Sequence, residues 1–139
     1  MSSSSPVISA RVRVLLGIPL HRFLGVRLAD AGDPAAGILL PVEEPALNNV
    51  GLLHGGVVTA LLDVASYLAL LPSLDDGQHA VTHDLFASLI RPVPRGSLLR
   101  LRGAVVRQGR AVVFLRAEAS VDGVIAATAQ VTKTLLTTG

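Results

Sequence analysis

The chain has 139 residues; half are hydrophobic, 16% are charged, and the formal net charge at neutral pH is +2. This length suits one domain with a substantial core, and the composition argues against disorder. Without cysteine, disulfides, thiolate catalysis and cysteine metal sites are excluded. No secretory signal pattern is visible, and Asp63 interrupts the longest apolar run before it could cross a bilayer. We therefore expect a single cytoplasmic domain over 1–139 without membrane contact.

The predicted elements begin after a flexible tail over residues 1–6. Two short strands are predicted within "FLGVRLAD" (23–30) and "AAGILLPVEE" (35–44), with the turn-forming "AGDP" between them. A loop over 45–53 follows. These elements are too short to define a fold by themselves.

The next segment has a helical pattern from Gly55 to Leu71 and ends at Pro72. Apolar residues occupy every face of this helix, which predicts that it is buried all round.

Beyond the helix the hydrophobic period changes to two. In "AVVFLRAEASV" the odd-numbered positions are apolar, and "VIAATAQVTKTL" repeats the alternation. The dipeptide Asp122-Gly123 between them predicts a tight hairpin. Two strands, one long helix and four further strands predict an α+β fold in which a curved antiparallel sheet wraps around one central helix.

The central helix carries one acid, Asp63. A buried carboxylate is costly unless it is paired, hydrogen-bonded or used in chemistry. On a helix, Thr59, Ser66 and Tyr67 share its face and could form a purely structural polar network with it. The other interpretation is a general base or a nucleophile.

The helix begins at "HGG", where backbone N–H groups are free and the helix dipole is positive. Such a terminus can form an oxyanion hole, and Gly55 and Gly56 would let an acyl group approach the backbone closely. The alternative is an ordinary glycine-rich helix entry that His54 caps.

Gly55 and Asp63 are eight residues apart, which is about 12 Å along one helix axis. One small reacting group cannot touch both within one helix. If both residues act together, one of them must come from a second chain, and the site must lie at a subunit interface.

Two other kinds of site are disfavoured. Ser66 lies about 18 Å along the helix from His54, so these residues cannot form a triad with Asp63. His79 and His83 alternate onto one strand face, but no third ligand has suitable spacing, and we expect no metal.

Seven arginines lie between residues 91 and 116, and no acid follows them before Glu118. Such a cluster can hold phosphates, or it can cover solvated outer faces of strands. The chain has only four aromatic residues, so we expect no nucleic acid partner. The arginines are Arg91, Arg95, Arg100, Arg102, Arg107, Arg110 and Arg116.

Together, "NNVGLLHGG....LLD", "AVTHDLFASLIRPVPRG" and "VVRQGRAVVFLRAEASVDGVIAATAQVTKTL" resemble hotdog-fold acyl-CoA thioesterases of the phenylacetate-pathway (PaaI-like) group. The resemblance covers nearly the whole chain. It implies a hotdog fold and hydrolysis of acyl-CoA to free acid and CoA. It also implies a homodimer that shares one sheet and pairs further into a homotetramer. No cofactor is implied, because CoA is part of the substrate.

The resemblance also implies roles for residues. Asp63 is the general base or nucleophile, the Gly55 N–H binds the thioester oxygen, and His54 helps to position it. Asn48 orients the loop or the water, and Thr82 hydrogen-bonds the water or the acid. The implied substrate contacts are Asn49 (also a substitute for Asn48), Gly56 and Val57, and Arg91, Arg95, Arg107 and Arg110 for the CoA phosphates.

An acyl tunnel between subunits is expected to be lined by Val57, Leu61 and Leu62. The acyl group itself stays open among aromatic, medium-chain and carrier-bound classes. The alternative function is a non-catalytic acyl-CoA binding module on the same fold, which would have no need of a buried acid. A hotdog dehydratase is disfavoured, because its pairing of a histidine with an acid is not found.

Overall fold

The computed structural model describes residues 6–138 and contains three helices and six strands within them. Short 3-10 turns lie at Pro34–Ala36, Glu44–Ala46 and Leu71–Ser73. The main elements are α1 (Pro6–Leu16), α2 (Pro19–Leu24), β1 (Arg27–Leu28), β2 (Ile38–Pro41), α3 (Gly55–Leu70), β3 (Gln78–Leu89), β4 (Leu98–Gln108), β5 (Val112–Val121) and β6 (Val124–Thr137).

The six strands form one antiparallel sheet in the order β1-β2-β4-β5-β6-β3. Helix α3 packs against β3, β4, β5 and β6. Its side chains Leu61, Leu62 and Leu68 are fully buried, so the helix forms the centre of the core. The predicted α+β hotdog arrangement, two strands, one long helix and four strands, is confirmed.

The alternation predicted for the last two strands is also observed. Val113, Leu115 and Ala117 on β5 are buried, while the residues between them are exposed. Asp122 and Gly123 have φ values of 50° and 80°, which a type I′ hairpin turn requires at both central positions.

The N-terminal region differs from the prediction. Pro6, the last residue of the predicted tail, begins α1, and residues 1–5 lie outside the described part. Helix α1 is held by a tertiary contact that local pattern does not reveal. The guanidinium of Arg11 donates hydrogen bonds to three backbone carbonyls just before and at the start of β3, at 2.8 to 3.3 Å.

The predicted first strand was placed too early and made too long. Helix α2 has a proline at its first position and ends at Gly25, whose φ of 82° is the left-handed cap conformation. The strand after it spans only Arg27–Leu28. The second predicted strand shortens to Ile38–Pro41 because 3-10 turns occupy both of its ends.

The central helix also departs in two ways. A stripe of Gly56, Thr59, Ala60, Asp63 and Tyr67 is only partly buried or exposed, so burial all round is wrong for this chain by itself. The α-helical hydrogen bonding ends at Leu70, one residue before the predicted end.

The length argument against a membrane span does not hold. The segment Gly55–Ser73 has 19 residues and, by length and composition alone, could cross a bilayer. In the structure, however, this segment packs on four strands, which is the environment of a core helix.

Helix α3 and the sheet approach each other closely at Gly103 on β4. A Cβ placed there would lie 2.6 Å from the carbonyl oxygen of Ala65 and 2.7 Å from Cα of Ser66. Both atoms belong to the backbone of α3 and cannot rotate away. Glycine at this position therefore sets the distance between the helix and the strand.

We predict that Gly103→Ala lowers the free energy of unfolding by about 2 kcal/mol or more, because the methyl group must push α3 off β4. Gly32→Ala is the control, since its Cβ would meet only a side-chain oxygen at 3.4 Å, and its effect should stay within about 0.5 kcal/mol. Urea unfolding at one fixed protein concentration measures both. Equal stability of the two variants would contradict the close packing.

Candidate active site

Asp63 lies in the middle of α3, and its side chain is 32% exposed. The hydroxyl of Thr82 on β3 lies 2.6 Å from Oδ1 and 2.8 Å from Oδ2 of Asp63. Because a hydroxyl has one proton, Thr82 donates to one carboxylate oxygen at a time. The contact places the strand threonine directly against the helix acid.

Lys133 on β6 completes this cluster, and the sequence analysis missed it. Its Nζ lies 2.8 Å from Asp63 Oδ1 and 2.9 Å from Thr82 Oγ1. The side chain is 4% exposed. A signal for it was present, because Lys133 occupies an inward position of the alternating "VIAATAQVTKTL", where the other inward residues are apolar.

The polar network expected around Asp63 has other members than predicted. The hydroxyl of Thr59 donates to the backbone carbonyl of Gly55, and that of Ser66 donates to the backbone carbonyl of Asp63. Tyr67 lies near the ammonium of Lys133, with its ring centre 5.9 Å from Nζ. None of the three bonds the carboxylate; helical neighbours with short hydroxyl side chains bond the nearest backbone carbonyl instead.

The start of α3 forms a second polar feature. Nδ1 of His54 accepts a hydrogen bond from the backbone N–H of Gly56 at 2.9 Å, so the histidine is the helix cap. The N–H of Gly55 has no acceptor within residues 6–138. One donor at this terminus is therefore used by the cap, and the neighbouring donor is free for a ligand.

Asn48 shapes the loop before the helix. Its side-chain oxygen accepts hydrogen bonds from the N–H groups of Val50 and Leu52, both at 3.0 Å. Asn48 and Gly55 line a cavity of about 260 Å³, and Arg91 borders it as well. Asn49 is exposed and is not among the residues that line this cavity.

The two polar features lie in different cavities. Asp63, Thr82 and Lys133 border an open cavity of about 340 Å³, which α1 bounds on one side. Gly55 borders the separate cavity beside Asn48. One chain therefore brings Asp63 together with Thr82, and Asn48 together with Gly55, but it does not bring the two pairs together.

The expected apolar tunnel is only partly present in one chain. Leu61 and Leu62 are fully buried in the core and border no open surface. Val57 borders a third depression together with His54, Gly56 and residues of α2.

The four arginines expected to hold phosphates do not converge. Arg95 is paired with Glu43 at 3.2 Å and with Glu44 at 3.4 Å. Arg107 lies at the far end of β4 and Arg110 in the turn after it. The 11 residues of the strand place both about 30 Å from the end near Arg91. Within one chain, only Arg91 borders the cavity at the start of α3.

A β-bulge falls between Thr82 and Asp84 on β3, with His83 as the extra residue. The bulge breaks the alternation that would place His79 and His83 on one face. Within residues 6–138 no group of three histidine, aspartate or glutamate side chains could hold a metal ion.

We predict that the side-chain oxygen of Asn48 stabilises the loop before α3. Asn48→Ala removes both accepted hydrogen bonds and should lower the free energy of unfolding by about 1–2 kcal/mol. Asn48→Asp keeps the accepting oxygens and should stay within about 0.5 kcal/mol of the native chain. Urea unfolding of the three proteins at one concentration tests this, and equal losses in both variants would contradict the assigned bonds.

Comparison with known proteins assigns the chain to a family. Residues 50–127 match the family model described as the thioesterase superfamily. Human acyl-coenzyme A thioesterase 13 is 30% identical over 95 residues, which are 68% of this chain and 67% of the human protein.

Two solved structures are similar in fold. A phenylacetic acid degradation-related protein from Ralstonia eutropha has 31% identity and a TM-score of 0.75, covering 92% of this chain and 98% of that one. A Bacillus halodurans protein solved with CoA has 26% identity and a TM-score of 0.73, covering 94% and 89%. The sheet wrapped around one helix, the matched segment and these relatives together show that the chain belongs to the thioesterase superfamily and is a thioester hydrolase.

Proposed function

We propose that the protein hydrolyses acyl-CoA thioesters at sites formed between two copies of the chain. The observation that carries this proposal is the carboxylate of Asp63, which is held by two hydrogen-bond donors and still open to a cavity. A carboxylate that is fixed and reachable suits attack on a carbonyl carbon. The human relative is named an acyl-coenzyme A thioesterase, and the Bacillus halodurans relative was solved with CoA.

In the proposed reaction, Asp63 removes a proton from an attacking water or attacks the thioester carbonyl itself. Either step places negative charge on the carbonyl oxygen. The free N–H of Gly55 in the partner subunit, at the positive end of its helix, stabilises that charge. The carbon–sulfur bond then breaks, and CoA leaves as the thiolate and takes up a proton. If Asp63 has bonded to the acyl carbon, water releases the free acid in a second step.

His54, Asn48 and Thr82 support this reaction indirectly. The ring of His54 occupies the N–H of Gly56, which leaves the N–H of Gly55 as the donor for the oxyanion. Asn48 fixes the loop that precedes the helix, and its amide group borders the same cavity as Gly55. Thr82 orients the carboxylate of Asp63.

The proposed dimer is supported by the unpartnered edge of the sheet. Strand β3 is an edge strand of 12 residues, and Val81, Phe86 and Leu89 on it are 47%, 70% and 56% exposed. Long apolar edges pair with another chain unless charge or a cover prevents it. Pairing β3 with β3 of a second copy would continue the sheet, and a two-fold axis places the Asp63 end of one helix beside the Gly55 end of the other.

For the CoA phosphates we propose Arg91, which borders the Gly55 cavity and has no ion pair among the described residues. Arg95 is less suited, because two glutamates already pair with it. Arg107 and Arg110 lie at the Asp63 end of their own chain, so a two-fold axis brings them towards Arg91 of the partner. We also propose that two such dimers pair into a tetramer, as the family resemblance implies.

We predict that the protein releases thiol from acyl-CoA and that Asp63→Asn reduces kcat by a factor of about 100 or more. A panel of phenylacetyl, medium-chain and long-chain thioesters, followed with a thiol reagent, measures this and ranks the acyl groups. Thermal unfolding verifies that the variant is folded. Binding of CoA esters without turnover by the native chain would favour a binding module instead.

A second prediction tests the shared site. Gly55→Pro removes the proposed oxyanion donor at a helix position where proline is tolerated, and His54, with φ −67° and ψ 127°, already has a backbone suited to precede proline. Gly55→Ala is the control, because it adds the same Cβ next to Leu89 but keeps the N–H. Gly55→Pro should lose far more activity than Gly55→Ala.

Mixing Asp63→Asn chains with Gly55→Pro chains then distinguishes shared from separate sites. If each site takes Asp63 from one subunit and Gly55 from the other, each mixed dimer contains one intact site. An equal mixture refolded together should recover about a quarter of native activity, because half of the dimers are mixed and half of their sites are intact. No recovery, from a mixture verified to contain mixed dimers, would show that each site lies within one chain.

A further inference from the structure

Lys133 is a buried cation that the proposed reaction does not use directly. It lies on the inward face of β6 beside Val131 and Ala129, which are 2% and 4% exposed. An ammonium in such surroundings is costly unless it is paired and hydrogen-bonded. Its partners therefore indicate why the chain keeps a charge there.

The three side chains form a closed hydrogen-bonded triangle. Lys133 donates to Oδ1 of Asp63 and to Oγ1 of Thr82, and Thr82 donates to the carboxylate. Because the ammonium occupies the hydroxyl oxygen as a donor, the proton of Thr82 is directed to Asp63. The carboxylate is held by two donors from two neighbouring strands.

The backbone builds this triangle. Thr82 and Lys133 are direct partners across β3 and β6. The bulge at His83 follows at once, so the regular alternation ends beside this pair. Asp63 reaches the pair from α3, and Tyr67, one turn later on the helix, lies over the ammonium.

The two charged groups differ in access. The side chain of Asp63 is 32% exposed, whereas that of Lys133 is 4% exposed. Lys133 contacts Oδ1 of the carboxylate, and the bonds described for Oδ2 come from Thr82 alone. A substrate can therefore reach the carboxylate but not the ammonium.

We propose that Lys133 is a positioning residue of the hydrolase, which binds Oδ1 of Asp63 so that Oδ2 is the oxygen that reacts. This inference rests on the thioesterase function proposed above. Lys133 fixes the rotamer of Asp63 and compensates its charge. Oδ2, whose described contact is with the Thr82 hydroxyl alone, is then the oxygen left for water or for the acyl carbon. It acts only through Asp63.

A purely structural ion pair makes a different prediction. Buried pairs contribute little net stability, and removing one partner is costly in any case. Loss of stability in a Lys133 variant therefore does not distinguish a positioning role from a purely structural ion pair. A positioning role requires that the loss appear in kcat more than in KM, and that it vanish when Asp63 is already absent.

The experiment uses Lys133→Met, Asp63→Asn and the double variant in the full chain, with kcat and KM measured on the best acyl-CoA of the panel. Lys133→Met should lower kcat by about 30-fold or more with KM within about threefold. In the Asp63→Asn background the same change should leave the residual rate unaltered. Circular dichroism and the oligomeric state verify that each variant is folded.

Lys133→Ala with added propylammonium provides a second measurement that does not depend on Lys133→Met folding. The amine should restore part of kcat in a saturable way, and Asp63→Asn with the same amine measures the uncatalysed reaction of amine with thioester. Lys133→Arg should retain more activity than Lys133→Met, because a cation remains.

The outcomes separate the two proposals. A folded Lys133→Met with kcat within threefold of native, or equal effects of the amine on Lys133→Ala and Asp63→Asn, would overturn the positioning role while the hydrolase remains. A native protein that releases no thiol would overturn the proposed function, and the role of Lys133 with it.

Discussion

The charge of Asp63 in an apolar helix is the constraint on which the rest of this structure depends. A carboxylate placed among buried leucines requires donors that reach it, and here they come from two strands rather than from the helix itself. Their geometry demands one register between β3 and β6 and a close contact of α3 with the sheet. Gly103 permits that contact, because no side chain separates β4 from the helix backbone.

The same helix carries two chemical features that cannot meet within one chain. Its N-terminus offers a free N–H, and its middle offers a held carboxylate, about 12 Å further along the axis. The arginines are separated in the same way: Arg91 lies near the Gly55 end of the chain, and Arg107 lies near the Asp63 end. A two-fold axis perpendicular to α3 would bring the opposite ends of two chains together. Such a symmetric dimer would contain two equal sites.

Much of the fold could be predicted because its elements have strong local signals. The alternation in β5 and β6, the Asp122-Gly123 turn and the long apolar helix each have one favoured structure. Helix α1 could not be predicted from local pattern, because a tertiary bond from Arg11 holds it, whereas α2 was missed although Pro19 and Gly25 are local signals of a short helix. Lys133 was missed for another reason: its position was read as part of a regular strand, and its pairing with Asp63 spans 70 residues.

The residues of the hydrogen-bonded triangle and the residues that shape the cavity beside it lie largely on different elements. The donors and the carboxylate lie on α3, β3 and β6, which are long elements of 16, 12 and 14 residues. The cavity beside Asp63 is bounded on its other side by Arg11, Val14, Leu15 and Ile18, in and just after α1. That helix is held by the carbonyl bonds from Arg11 and by packing of Val12 on the core, and no bond described for it reaches the hydrogen-bonded triangle. The proposed chemistry and one wall of the cavity beside Asp63 are therefore built on separate parts of the chain, and that wall is formed by the segment whose structure local pattern predicts least.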